Sequence, residues 1–168
     1  PKISVIIPCY NLGQYIDEAV DSVLNQSYQD FEIVIVNDGS TDELTNSKLA
    51  NYQKTKTKII TSKNQGVSAA RNLGIKNATG EFILPLDSDD KIEKNYLQKA
   101  ISIFEQNPNL KVVYCNTQQF GSKTSKIDYP EFDFKSFLLN NCIHVAGMFR
   151  KKDFLQIGGY DPNMLDGV

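Results

Sequence analysis

The densest chemistry in the sequence lies at Asp87-Ser88-Asp89-Asp90, where three carboxylates fall within four residues. Carboxylates this close repel one another unless water or a cation neutralises them. An all-oxygen cluster suits a hard divalent ion such as Mg²⁺ or Mn²⁺. Mg²⁺ keeps several waters and takes one or two carboxylates together with substrate phosphates. A solvated turn, with an aspartate capping the next helix, is the plainer alternative for an isolated cluster. Its place directly after the apolar run Glu81-Phe82-Ile83-Leu84-Pro85-Leu86 favours the chemical reading.

Three other segments carry polar residues at the ends of apolar runs. In Asn37-Asp38-Gly39-Ser40 the aspartate can accept from a ribose hydroxyl or a base N–H, and it can equally make a turn or cap a helix. Pro8 and Tyr10 can form one wall of a flat base pocket, with the tyrosine ring as a stacking face; Tyr10 as a rim aromatic is the alternative. Arg71 is the only arginine before Arg150 in a chain that otherwise uses lysine. Its rigid fork suits pairing with a carboxylate or phosphate, in a site or simply on a helix surface. His144, the single histidine, reads as a half-buried structural residue, and Cys9, Cys115 and Cys142 read as small core residues.

These residues need a frame that brings strand ends together. Ile3-Ser4-Val5-Ile6-Ile7 and Phe31-Glu32-Ile33-Val34-Ile35-Val36 are near-continuous apolar runs, as in strands buried on both faces. Lys58-Ile59-Ile60, Glu81 to Leu86, Leu110 to Tyr114 and Val145 to Arg150 predict further strands. Tyr15, Ile16, Ala19, Val20, Val23 and Leu24 recur at helical spacing, as do Tyr96, Leu97, Ala100, Ile101 and Phe104. A helix capped by Ser40 or Thr41, another over 68–78 and a short one over 132–139 complete the pattern. Residues 116–129 read as a loop or hairpin. The alternation predicts an α/β fold: one domain over 1–168, a mostly parallel, doubly wound sheet with helices on both faces. In such sheets ligands bind at the carboxyl ends of the strands, where Pro8, Tyr10, Asn11, Asp38 and the Asp87–Asp90 cluster all fall.

Composition narrows the function. The 168 residues are 40% hydrophobic and 23% charged, which excludes collagen-like, disordered and disulfide-scaffold classes. No apolar run approaches the roughly 18–20 residues of a membrane span. The net charge of -2 speaks against nucleic acid as a partner. The charge is uneven: residues 1–90 carry -4 and residues 91–168 carry +2. No Cys-x-x-Cys occurs, and one histidine cannot build a His-based metal cluster. There is no G-x-x-x-x-G-K-[ST], no G-x-G-x-x-G after the first strand, and no G-x-S-x-G. Without a visible signal segment, the expected location is cytoplasmic, at the inner membrane face in a longer protein.

Taken in order, several segments resemble the inverting, GT-A-fold (Rossmann-like) glycosyltransferases of family 2. They are Ile3 to Asn11, Phe31 to Asp42, Asn64-Gln65-Gly66 through Ile75, Gly80 to Asp90, and Ile157-Gly158-Gly159-Tyr160-Asp161. Each is weak alone; their order and spacing are specific. The resemblance implies a hexosyl-type transferase acting on a nucleotide-diphosphate sugar, UDP-linked, with a hydroxyl acceptor in polysaccharide or glycoconjugate synthesis. It implies that Pro8, Tyr10, Asn11, Asp38, Arg71, Asp87 and Ser88 hold the nucleotide and that Asp89, in a D-x-D motif, binds Mn²⁺ or Mg²⁺. Asp90 would support that site or cap a helix starting near Ile92. The family's catalytic base usually follows the segment resembling Gly158 to Asp161. It is therefore expected past Val168, with Asp166 as the lesser candidate, and the chain as a donor-binding portion. A non-catalytic nucleotide-binding module and an Mg-dependent phosphoryl-transfer domain are the competing readings.

Overall fold

The computed structural model describes residues 1–139 and 143–163. In chain order the elements are β1 (Ile3–Cys9), α1 (Ile16–Leu24), β2 (Phe31–Asp38), α2 (Glu43–Ala50), β3 (Thr57–Ser62), α3 (Val67–Asn77) and β4 (Phe82–Pro85). There follow α4 (Tyr96–Gln106), β5 (Val112–Val113), β6 (Thr117–Gln119), β7 (Ser125–Ile127), α5 (Phe134–Phe137), β8 (Met148–Arg150) and α6 (Lys151–Gln156). Six strands form one sheet in the order β3-β2-β1-β4-β8-β5. The first four are mutually parallel, and β8 runs antiparallel to both β4 and β5.

Side-chain alternation assigns the two faces. Ile3, Val5 and Ile7 of β1 join Phe31, Ile33 and Ile35 of β2 on one face, under α1 and α4. Ile6, Val34 and Val36 point the other way, toward Ala70 and Ile75 of α3 and Phe154 of α6. Both faces are therefore covered, which explains why β1 and β2 read as continuous apolar runs. Helix α3 lies close on the sheet because Gly74 has no side chain: a Cβ there would stand 2.5 Å from Cγ2 of Ile6 and 3.1 Å from Cγ2 of Val36.

The right-hand part of the sheet departs from simple alternation. The strand expected over Val145 to Arg150 is shorter and antiparallel, and it inserts between β4 and β5. β5 keeps only two of the residues expected of it. Arg150 explains the placement. It is 9% exposed, donates to Glu81 Oε1 at 3.2 Å and reaches the carbonyls of Pro108 and Leu110, and its guanidinium lies over the Phe82 and Phe104 rings. Residues 117–127 form the β6–β7 hairpin. The α2 cap is Asp42, which accepts from the Thr45 amide at 2.7 Å, rather than Ser40 or Thr41. Cys9 is buried as expected, Cys115 is exposed, and Cys142 lies outside the described residues.

Glu32 on β2 ties three strands together. Its Oε1 accepts from Ser4 Oγ of β1 at 2.6 Å, and from the amide and hydroxyl of Thr79 before β4 at 2.6 and 2.7 Å. Burial pushes the Glu32 carboxyl up, but these hydrogen bonds outweigh it and hold the carboxyl below its ordinary value. A depressed carboxyl stabilises the fold above the unfolded pKa of about 4.3 and loses that contribution as pH falls through the folded value. Glu32→Gln is therefore expected to lose about 1–2 kcal/mol at pH 7. The gap to wild type should narrow below about pH 4, as followed by urea denaturation across pH.

Candidate functional site

In the sheet order β3-β2-β1-β4, successive strands run outward from β1 on one side, and the chain then returns to add β4 on the other. The crevice outside the carboxyl ends of β1 and β4 is the topological switch point, where ligands bind in open α/β sheets. A cleft of about 970 Å³ opens there, lined among others by Pro8, Tyr10, Asp38, Arg71, Asp87, Ser88 and Asp89. Seven of the eight nucleotide and metal residues expected from sequence thus meet in one place. Asn11 does not line it. Its side chain bridges the strand ends instead: Oδ1 accepts from the Thr41 and Asp42 amides at 2.7 and 3.2 Å, and Nδ2 donates to Thr41 Oγ1 at 3.0 Å. Asn11 has φ 55°, which asparagine tolerates better than most residues.

Asp38, 4% exposed, organises the opposite wall. Oδ2 accepts from the Gly66 amide at 2.9 Å, and Oδ1 from the Gln65 amide at 3.1 Å and Ser62 Oγ at 3.3 Å. The carboxylate thereby fixes the start of α3, where Gly66 takes φ 87° as the residue before the first helical turn. Oδ2 retains acceptor capacity for one further donor in the cleft. Gly39, at φ 67°, lets the turn after β2 approach the Asn64 backbone, which a Cβ would meet at 2.5 Å.

The acidic turn is asymmetric. Asp87 pairs with Arg71, Nη2 to Oδ1 at 2.6 Å, and its carbonyl accepts from the Asp90 amide. Ser88 is buried in the cleft floor. Asp89 is exposed, and among the described residues no hydrogen bond or ion pair engages its carboxylate. Nor do three or more His, Cys, Asp or Glu side chains converge on a metal-sized space among those residues. Asp90 does not cap a helix, since α4 begins only at Tyr96. Burial pushes its carboxyl up, Asp87 and Asp89 add to this, and His144 opposes it. The His144 Nε2 lies 3.8 Å from Asp90 Oδ2, while its Nδ1 accepts from the Ala146 amide at 3.2 Å.

Two contributors were not expected from sequence. Asn72 holds the Tyr160 backbone on both sides, donating to its carbonyl at 2.8 Å and accepting from its amide at 3.0 Å. The Tyr160 ring consequently lines the cleft and carries the Arg71 guanidinium 5.8 Å from its centre. The other contributor is His144 facing Asp90. Gly158-Gly159, both at positive φ, and Asp161-Pro162 mark a turn around Tyr160, but local spacing does not place its ring in the cleft.

The sequence profile of Glycosyl transferase family 2 matches residues 4–158. The chain belongs to that family. It is 31% identical to the chondroitin synthase of Pasteurella multocida over 175 residues, covering all of this chain and 18% of that protein. It is 42% identical over 140 residues to an uncharacterized glycosyltransferase of Haemophilus influenzae, covering 77% of this chain and 56% of that one. This family 2 chain therefore spans only part of the length of these relatives. Among solved structures it resembles Staphylococcus aureus TarS 1–349 in complex with UDP-GlcNAc, with a TM-score of 0.77 and 26% identity over 95% of this chain and 48% of that one. A mannosyltransferase of Pyrobaculum calidifontis, in complex with GDP-Man and Mn²⁺, shares the GT-A fold, with a TM-score of 0.75 at 23% identity over 97% of this chain and 48% of that one. Asp166, the lesser candidate for the base, lies outside the described residues. Among the described residues no helix is long and apolar enough to cross a membrane.

Asp38→Asn tests the wall that Asp38 builds. An amide in place of the carboxylate sets an NH₂ group against a backbone N–H. A loss of about 1–3 kcal/mol is expected, with faster hydrogen exchange at the Gly66 amide. Unchanged exchange at Gly66 would contradict this role.

Proposed function

We propose that the chain is the donor-binding portion of a metal-dependent, inverting family 2 glycosyltransferase. It takes a UDP-linked sugar and passes the sugar to a hydroxyl acceptor in polysaccharide or glycoconjugate synthesis, in the cytoplasm. The observation carrying this reading is the convergence of Tyr10, Asp38, the Arg71–Asp87 pair and an exposed Asp89 in the switch-point cleft. Tyr10, 43% exposed, offers a face to a flat base, and the remaining acceptor capacity of Asp38 suits the imino N–H of uracil. Pro8 completes that wall. Arg71 holds Asp87 toward the ribose, and Ser88 floors the site.

Asp89 suits a cation shared with the diphosphate rather than caged by protein, because such ions take one or two carboxylates and fill their remaining positions with phosphate oxygens and water. When bound there, Mn²⁺ or Mg²⁺ supplies neutralisation of the charge that develops on the leaving phosphate. In the transfer, the acceptor oxygen bonds to the anomeric carbon from the face opposite the diphosphate. The bond from that carbon to the phosphate oxygen breaks with its electron pair staying on the phosphate. The hydroxyl proton passes to a carboxylate base. The likeness to TarS, whose complex holds UDP-GlcNAc, supports the choice of uridine.

Titration calorimetry with UDP and with GDP, each with and without MnCl₂, tests the proposal. UDP is expected to bind more tightly than GDP and to gain affinity from Mn²⁺. Asp89→Ala should abolish that gain, weakening binding at least about tenfold. Absence of UDP binding by the wild type, or an undiminished Mn²⁺ effect in Asp89→Ala, would refute it.

A further inference from the structure

His144 faces the acidic turn but has no part in the donor reading above. With Asp89 it lines both the switch-point cleft and an adjoining cleft of about 1280 Å³. Its setting is built from the core outward. The hydroxyl of Tyr96, a buried residue at the start of α4, donates to the Ala146 carbonyl at 2.6 Å. The Ala146 amide in turn donates to His144 Nδ1 at 3.2 Å, and the His144 carbonyl accepts from the Gly147 amide at 3.1 Å. The Tyr129 ring neighbours the imidazole, with centres 6.4 Å apart. Backbone and ring are thus both held, although the residue lies outside any helix or strand.

This anchoring decides the tautomer. Nδ1 accepts from an amide, so it holds a lone pair and the proton of the neutral ring sits on Nε2. Nε2 is then a donor, with no lone pair left to ligate a metal. The carboxylate facing it, Asp90 Oδ2, is 3.8 Å away, beyond hydrogen-bond length. Among the described residues no hydrogen bond engages this N–H. The switch-point cleft offers little else to an anion. Arg71 is the only Lys or Arg lining it among the described residues, and its Nη2 is taken by Asp87 at 2.6 Å. Lys91, Lys123 and Lys126 line the adjoining cleft alone. Asp87 and Asp89 meanwhile concentrate negative charge where a diphosphate has to lie. A shared cation answers part of that charge, and an aimed N–H in the same wall answers a further part, since hydrogen bonds to ionised oxygens are the strong ones.

We propose that His144 is a catalytic residue that donates its Nε2–H to an oxygen of the donor's diphosphate, stabilising the charge that the diphosphate takes up as its bond to the sugar breaks. The proton stays on nitrogen throughout. This rests on the donor-site assignment above, since only a donor in the switch-point cleft brings a diphosphate to this wall.

The test is an NMR titration of the ¹⁵N-labelled chain with UDP and with uridine, which lacks the diphosphate, each in MgCl₂ and in EDTA. Long-range ¹H–¹⁵N spectra of the imidazole should show the proton on Nε2 in the free chain, and UDP but not uridine should move the Nε2 signal. His144→Ala should weaken UDP about tenfold, with and without Mg²⁺, and leave uridine binding unchanged, which also reports that the variant is folded. His144→Gln, which keeps a side-chain N–H, should recover part of that loss. A proton on Nδ1, an unaltered UDP affinity in His144→Ala, or equal losses for UDP and uridine would overturn this inference and leave the donor site standing. A loss confined to the Mg²⁺ titrations would overturn it too, because His144 would then act through the metal turn. Absence of UDP binding by the wild type would instead strike the donor reading, and this inference with it.

Discussion

The constraint on which the rest of the molecule depends is the double pairing of β1. Ile3 to Cys9 run in register beside Phe31 to Asn37 on one edge, and Ile3 to Ile6 beside Phe82 to Pro85 on the other. Because both partners are parallel to β1, all three chains leave the sheet at the same end. Because β2 and β4 lie on opposite sides, their following loops part and leave a crevice between them. The turn with Asp38, the turn with Asp87 to Asp90 and the wall with Tyr10 face one another as a consequence of strand order. The two helical layers secure this arrangement by burying Ile3, Val5, Ile6, Ile7 and Cys9 of β1.

Within the crevice, order comes from carboxylates that accept from the protein's own donors. Asp38 fixes the entry to α3 through the Gln65 and Gly66 amides. Asp87 takes the guanidinium that α3 then presents. Asp89 differs from both in having no such partner among the described residues. An exposed carboxylate in the cleft wall keeps its polar capacity for what comes from outside, while its neighbours are occupied in holding shape.

The central sheet was legible from sequence because its strands are buried on both faces and bounded by Asn, Asp, Gly and Pro, so composition alone marks them. The position of the site followed from the same punctuation. What remained hidden depends on long-range pairing without periodicity. β8 inserts antiparallel through Arg150, whose partners at Glu81, Pro108 and Leu110 lie about 40–70 residues away. Tyr160 reaches the cleft through Asn72, 88 residues earlier. Asn11 sits in the right segment, but its amide closes a turn, and spacing does not distinguish those two uses. The hairpin over 117–127 is one of the two readings the sequence allowed for residues 116–129; its short, polar strands alternate too weakly to separate it from a loop.

Gly74 carries a consequence well beyond its own contacts. It sets the distance of closest approach between α3 and the sheet, and Arg71 stands three residues earlier on the same helix, about one turn away. The helix therefore works as a lever: bulk added at position 74 would lift its axis and carry the guanidinium away from Asp87. The dimensions of the switch-point cleft are thus fixed from behind, by a missing methyl group that faces the core. Core and site share one mechanical element here, and the freedom of either to change is limited by the other.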